Sequence, residues 1–293
     1  MGYHLRSPLA KALFEKIQHQ NEHSNASHGE WYAARLKLLS NVVSEKFMEM
    51  YQDDETKQFI EDCFTKSDWF FTQIYHGLAK SILTWFISAT SANGLLNRGS
   101  MFVLSSSQIR RLLELDEEMK LERLLDLGAG DGNITTKFQP FFHQLLATEM
   151  STAMQWRLRQ KDIELLDVST WPDYPGYFDV ISCLNLLDRC DRPLTLLSDI
   201  KRRLRPSSGI LLLAVVFPVR QYVENNSDHS PTEVMPLAPT RVWEVQFDHF
   251  LRDVIEPAGY RLVRWTRLPY LCEGDFSQSF YVLNDVVMVL KAL

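Results

Sequence analysis

The sequence predicts an α/β fold, with a mostly parallel sheet, helices on both faces, and a helical extension in front of it. Three observations predict it. From Leu121 onward, short apolar runs alternate with segments of helical spacing. The run Leu124-Leu125-Asp126-Leu127 ends in the glycine-rich turn Gly128-Ala129-Gly130-Asp131-Gly132, followed by a helix-like stretch. That order, strand then loop then helix, opens a nucleotide-binding sheet. Two final runs, Tyr260–Arg267 and Tyr281–Lys291, read as an antiparallel pair closing it.

The elements follow in order. Residues 18 to 30 are rich in His, Asn, Gln and Ser and read as loop. Trp31 to Tyr51 carries Leu36, Leu39, Val43 and Phe47 at helical spacing, so a helix is expected. Glu55 to Phe64 reads as a second, and Trp69 to Thr90 as a third, capped by Ser67-Asp68. The aromatics of the third fit a thick core, with a channel wall or membrane-surface contact as the sharper alternative. Its apolar stretch contains Gln73, His76 and Lys80, which argues for a buried or interfacial helix over a membrane span. Ser105-Ser106-Ser107-Gln108 offers a capping box for a short helix ending near Leu115. Strands are expected near 123–127, 144–149, 163–168, 178–184 and 209–217. Helices are expected near 133–142, 151–161, 193–205 and 240–257. With the closing pair this makes seven strands. The division is a helical extension over 1–104 and a sheet domain over 105–293.

The 293 residues suffice for one large α/β domain with an extension. A net charge of −6, with no Arg/Lys-rich run, gives a nucleic-acid backbone nothing to hold. Cys63, Cys183, Cys190 and Cys272 are scattered without a C-x-x-C pair, so neither a disulfide framework nor a metal site is expected. Met1 to Leu13 lacks the apolar core of a signal peptide. Sequons occur at Asn25, Asn133 and Asn225. The one at Asn133 sits in the loop region and reads as a chance match.

Ligands of such sheets lie at the carboxyl ends of the strands. After the first strand come Gly128, Gly130 and Asp131. Glu149 stands 21 positions after Gly128, at the tip of the second strand, where a carboxylate can take both hydroxyls of a ribose. A dinucleotide site wants G-x-G-x-x-G and a helix N-terminus aimed at a pyrophosphate. Here the spacing is G-x-G-x-G, and Asp131 inside the loop would repel a pyrophosphate. The pattern suits a phosphate-free ligand with a positive centre, such as S-adenosylmethionine. Asp167 and Val168 follow the third strand and are candidates to face the adenine. After the fourth strand stands Asn185-Leu186-Leu187-Asp188, where many amine methylators carry Asn-Pro-Pro-Tyr. The missing prolines imply a different acceptor. For Asp188 the plain alternative is a helix cap or a salt bridge to Arg189 or Arg192. Arg267 to Phe276 is expected to link the closing strands and fold over the top edge. It would bring Tyr270, Glu273 and Asp275, with Tyr281, near Asp188 as an acidic, aromatic cleft for a cationic or imidazole-bearing peptide. The alternative is an ordinary hairpin loop.

Three long motifs carry a resemblance. They are Leu124 to Gly132, Asp179 to Asp191 and Thr266 to Asp275, with Asn93 to Phe102 fitting as well. On these the chain resembles the DREV, or methyltransferase-like protein 9, family from Leu5 to Leu293. The resemblance implies a class I, Rossmann-like, seven-stranded methyltransferase sheet that uses S-adenosylmethionine. It implies methylation of the pros nitrogen of histidine in His-x-His motifs of proteins, by a monomer. It puts Asp126, Gly128, Glu149, Asn185 and Tyr270 against the cofactor, with Gly130 from the loop reading. It gives Asp188 the imidazole. Members usually begin with an apolar leader and are linked to the endoplasmic reticulum and mitochondrion; without such a segment a cytoplasmic place is the other expectation. Two rival functions stand beside this one. They are methylation of another side chain or small molecule, and a cofactor-binding scaffold without catalysis.

Overall fold

The computed structural model describes residues 18, 22, 28–68, 100–116, 120–223, 228–274 and 278–293. Among them the strands are β1 (Met101–Phe102), β2 (Leu121–Leu127), β3 (Phe142–Thr148), β4 (Glu164–Leu166), β5 (Val180–Leu184), β6 (Ile210–Val216), β7 (Tyr260–Glu273) and β8 (Phe280–Ala292). They form one sheet in the order β1-β7-β8-β6-β5-β2-β3-β4. The block from β6 to β4 is parallel; β8, β7 and β1 run antiparallel. The chain order reverses between β2 and β5, and that crevice is where a ligand fits.

The helices are α1 (Asp54–Asp68), α2 (Ser106–Leu113), α3 (Thr152–Gln160), α4 (Pro193–Arg203) and α5 (Trp243–Phe250). The capping box of α2 is present: the Ser105 hydroxyl accepts from the Gln108 amide, and the Gln108 side chain accepts from the Ser105 amide. Pro193 opens α4, where a missing N–H costs nothing, and Lys201, Arg202 and Arg203 suit the negative end of its dipole.

Alternation along the strands separates two cores. Leu125, Leu127, Ile181, Cys183, Leu211 and Leu213 pack with Leu197, Phe247, Phe250 and Trp265. On the opposite face Leu124, Val180, Leu212 and Ala214 meet Ile109, Leu112 and Phe138. Both faces are covered, which is why β5 and β6 read as unbroken apolar runs.

The α/β class and the closing antiparallel pair are as expected. The sheet has eight strands rather than seven, because Met101–Phe102 adds to the β7 edge. The helix expected over Trp31 to Tyr51 is absent. That segment holds short turns at Gly29–Trp31 and Leu36–Leu38 and a single helical turn, Asn41–Ser44. Its backbone bonds to β7 instead: the Met48 amide donates to the Trp265 carbonyl (2.8 Å), and the Trp265 amide to the Lys46 carbonyl (3.0 Å). The Trp265 indole N–H donates to the Val43 carbonyl (2.8 Å). The apolar spacing reflects contact with the sheet rather than a helix face, and the segment covers the β7 edge that β1 leaves open.

The stretch after the glycine loop is a 3-10 helix, Thr135–Phe141, with Pro140 inside it, which forbids a full α-helical ladder. Arg267 to Phe276 is mostly strand, since β7 continues to Glu273. The Trp69–Thr90 helix, Asp275, Asn25 and Asn225 lie outside the described residues. Among the described residues no disulfide joins the cysteines, and no helix is long and apolar enough to cross a membrane.

Candidate active site

The glycine loop is built from β2 outward. Gly128, Gly130 and Gly132 take φ of 69°, 57° and 76°, in the left-handed region that side chains resist. The Gly128 and Ala129 amides donate to the Thr148 carbonyl (3.0 and 3.1 Å), fastening the loop to the end of β3. A Cβ at Gly132 would stand 2.7 Å from Leu158 of α3, while one at Gly130 would meet nothing within 4 Å. Gly132 is thus a packing glycine. Gly130 faces open space, as a residue beside a ligand must.

Glu149 follows β3 and closes this loop. One carboxylate oxygen accepts from the Gly130 amide (2.9 Å), the other from the Ser151 amide (2.8 Å). Asp126 lies beneath, 3% exposed, with its oxygens taken by Thr135 (2.6 Å) and Ser182 (2.7 Å). Burial raises its pKa to about 6, and the two hydroxyl bonds offset part of that. Asp126 therefore braces the loop from below. Asp131 is turned back on Asn133, whose amide and side-chain N–H groups it accepts (2.9 and 2.6 Å). Asp167 accepts from the Ser169 amide (2.8 Å) in an exposed turn, which leaves it solvated.

Beyond β5, Asn185 has φ of 56° and donates its amide to the Ala214 carbonyl (2.9 Å). This bend turns the chain across the top of the sheet and delivers Asp188, 3% exposed. One Asp188 oxygen pairs with Arg189 Nε at 3.4 Å; Oδ1 is buried with no hydrogen-bond partner. Burial pushes the Asp188 pKa up to about 6, and Arg189 restrains the rise. Arg192 pairs with Glu233 instead (3.6 Å). The Arg189 guanidinium lies over the Tyr222 ring (5.9 Å), which stacks on His229 (4.5 Å).

The β7–β8 pair supplies the other wall. Tyr270 is turned inward, contacts Met101 Sδ, and has its phenol pKa raised by burial. The cross-strand partners Cys272 and Tyr281 share its face, with Tyr281 38% exposed. Glu273 is one residue off that period and points to the opposite face. There it pairs with Lys66 (3.4 Å) and accepts from the Ser100 amide (3.4 Å). The structure thus gathers Asn185, Asp188 and Tyr270, sets Gly128, Gly130 and Glu149 across the crevice, and takes Glu273 away.

One member of the cluster was not read from the sequence. Asp285 of β8 is fully buried and its Oδ2 accepts from Asn185 Nδ2 at 2.9 Å. Its signal was there: a lone acid heading the buried run Val286 to Leu290. Two surface grooves, of about 390 and 700 Å³, are lined by none of these residues. Among the described residues no group of His, Cys, Asp and Glu is arranged to hold a metal ion.

The model of the DREV methyltransferase family matches residues 31–292. Among solved structures, the N-methyltransferase NodS of Bradyrhizobium japonicum, in complex with S-adenosyl-L-homocysteine, is 14% identical. The match covers 64% of this chain and 85% of that one at a TM-score of 0.42. A precorrin-6y C5,15-methyltransferase of Geobacter metallireducens is 14% identical over 63% of this chain and 85% of its own, at 0.39. At those scores the likenesses add nothing to the topology described above.

Proposed function

The chain belongs to the DREV methyltransferase family, and on that premise we propose that it methylates the pros nitrogen of histidine in His-x-His motifs of proteins, using S-adenosylmethionine. The observation that carries this reading is Asp188: a buried carboxylate at the β5 end, with one oxygen unpartnered, across the crevice from the open glycine loop.

The residues fit the cofactor. Gly130 offers an open backbone cradle, the Lys161 ammonium beside the loop is taken by the Asp131 carbonyl (2.7 Å), and Asn185 Oδ1 is a buried acceptor without a hydrogen-bond partner. Gly128, Gly130, Glu149, Asn185 and Tyr270 would hold it, with Asp126 fixing the loop beneath. When bound, it supplies an electrophilic methyl group on a sulfonium.

The protein's own task is orientation. A histidine with a pKa of about 6.5 is mostly neutral at pH 7, so its ring needs no strong base. Asp188 accepts the tele N–H of the ring and so selects the tautomer whose pros lone pair is free. As the ring gains a methyl it becomes cationic, and the same fixed carboxylate stabilises that charge. With a pKa of about 6, Asp188 is ionised at neutral pH and ready for this role. The aromatic wall of Tyr270 and Tyr281 suits a flat imidazole and its neighbours.

The test is methyl transfer from labelled S-adenosylmethionine to an Ala-His-Gly-His peptide. Mass spectrometry and an isomer standard locate the methyl. A pros-methylated histidine is the expected product. A His-to-Ala peptide labelled equally well would move the acceptor elsewhere.

A further inference from the structure

Asp285 stands at the head of the most deeply buried part of β8, and no cation pairs with it among the described residues. A carboxyl group taken out of water is expensive unless its oxygens are fully bonded. Asp285 has one side-chain partner, the Asn185 amide nitrogen at 2.9 Å, and its Oδ1 has none. A valine would fill this position in a strand that continues with Val286 and Val287. The acid is therefore retained at a cost in stability, and its one side-chain partner indicates why.

Asn185 can present either end of its amide to the cavity. Its backbone is fixed by the left-handed φ and by the bond to Ala214, so only the side-chain flip is open. Asp285 takes the nitrogen. That leaves Asn185 Oδ1 as a buried acceptor without a partner, in a cluster where Asp188 Oδ1 is also unpartnered. The unpartnered atoms of this cluster, on Asn185, Asp188 and Asp285, are all carbonyl or carboxyl oxygens.

We propose that Asp285 is a positioning residue for methyl transfer: by holding the Asn185 amide nitrogen, it turns the Asn185 oxygen toward an N–H donor of the bound ligands. The inference rests on the histidine-methyltransferase reading above. The donor is either the ammonium of the cofactor or a backbone N–H of the substrate peptide, which share this chemistry; the ring's own N–H belongs to Asp188. The groups that face Asp285 are Asp188 with Arg189 from the loop after β5, and Tyr270 and Cys272 from β7. Burial raises its pKa to about 8; the Asn185 bond offsets part of that rise, and the Asp188 charge adds to it.

A double-mutant cycle tests the proposal. Asn185→Ala, Asp285→Val and the double variant are compared for S-adenosylmethionine affinity by calorimetry and for kcat/KM on a His-x-His peptide. A residue acting through another gives non-additive losses. Each single variant should lose about 10- to 100-fold in one of the two readouts, with the double variant no worse than the weaker single. A loss in cofactor affinity assigns the donor to the ammonium. A loss in peptide kcat/KM at unchanged cofactor affinity assigns it to the peptide backbone. Asp285→Asn keeps an acceptor oxygen and should recover part of the loss seen in Asp285→Val. If the valine variant does not fold, the Asp285→Asn and Asn185→Ala cycle decides the same question. Multiplying losses, or an Asp285→Val that matches wild type in both readouts, would overturn the role. A wild type that turns over no histidine peptide refutes the histidine reading, and the cofactor-affinity cycle then decides: coupling there keeps Asp285 in place, additivity or no effect removes it.

Discussion

Two buried carboxyl groups in this protein live by opposite rules. Glu244, on α5, is 1% exposed, and both its oxygens are bonded by the Arg35 guanidinium (2.8 and 2.7 Å). Burial pushes its pKa up, but the Arg35 bonds outweigh that and hold it below the usual carboxylate value. Asp285 is buried just as deeply, has one neutral side-chain partner beside the Val286 and Val215 backbone, and has its pKa raised by burial to about 8. The first joins the N-terminal segment to the sheet domain. The second lies among unsatisfied acceptors at the crevice. Full satisfaction marks structure, and partial satisfaction at a strand end marks a site waiting for a ligand.

The sharpest break in that comparison is at Asp188. Asp188→Asn keeps the shape and removes the charge, and should lower kcat about 100- to 1,000-fold. Calorimetry should find cofactor binding close to wild type. Full turnover by that variant would sink the role given to Asp188. Next in size is the acid limb of the pH–rate profile at saturating cofactor. With Asp188 ionised only above about pH 6 and the substrate histidine neutral only above about 6.5, kcat/KM should fall about 100-fold per unit well below both. A profile flat from pH 7 to 5 would contradict it.

Arg35→Ala removes the guanidinium from Glu244 and leaves it the backbone amide of position 35 (3.3 Å). Denaturant unfolding should show a clear loss of stability, and an unchanged midpoint would make the pair merely superficial. The smallest effect runs the other way. The folded protein keeps the Asp285 proton to about pH 8, whereas the unfolded chain releases it near the ordinary value of 3.8. Stability from this group is therefore whole below about 4 and declines as pH rises toward 8. Asp285→Asn should raise the Tm at pH 8, with little change at pH 4. A drop at both values would mean that the carboxylate is structural.

Much of this was legible before any coordinates. The run into Gly128-Ala129-Gly130 marks a strand and a tight turn because glycine takes left-handed angles at least cost, and Asp131 marks the loop as one that repels phosphate. Asp188 stands out because a strand end is where this sheet class keeps its chemistry. Other features were not legible. Leu36, Leu39, Val43 and Phe47 have helical spacing, yet they pack into the core cluster of the sheet domain, where Phe47 bridges to Trp265 more than two hundred positions later. Glu273 looked like a wall of the cleft until β7 proved to run through it, and strand alternation turned it to the other face.

The sequence by itself determined the α/β class, the glycine loop with Glu149, and the place of Asn185 and Asp188 after the fourth parallel strand. These depend on local spacing and backbone preference, which a chain carries within a few residues. Only the tertiary structure decided that Asp285 meets Asn185 exactly one hundred positions away, that Asp126 braces the loop from beneath, and that Glu244 is paired while Asp285 is not. Partnership between distant polar groups depends on which strands become neighbours, and sheet order is settled by burying two cores at once.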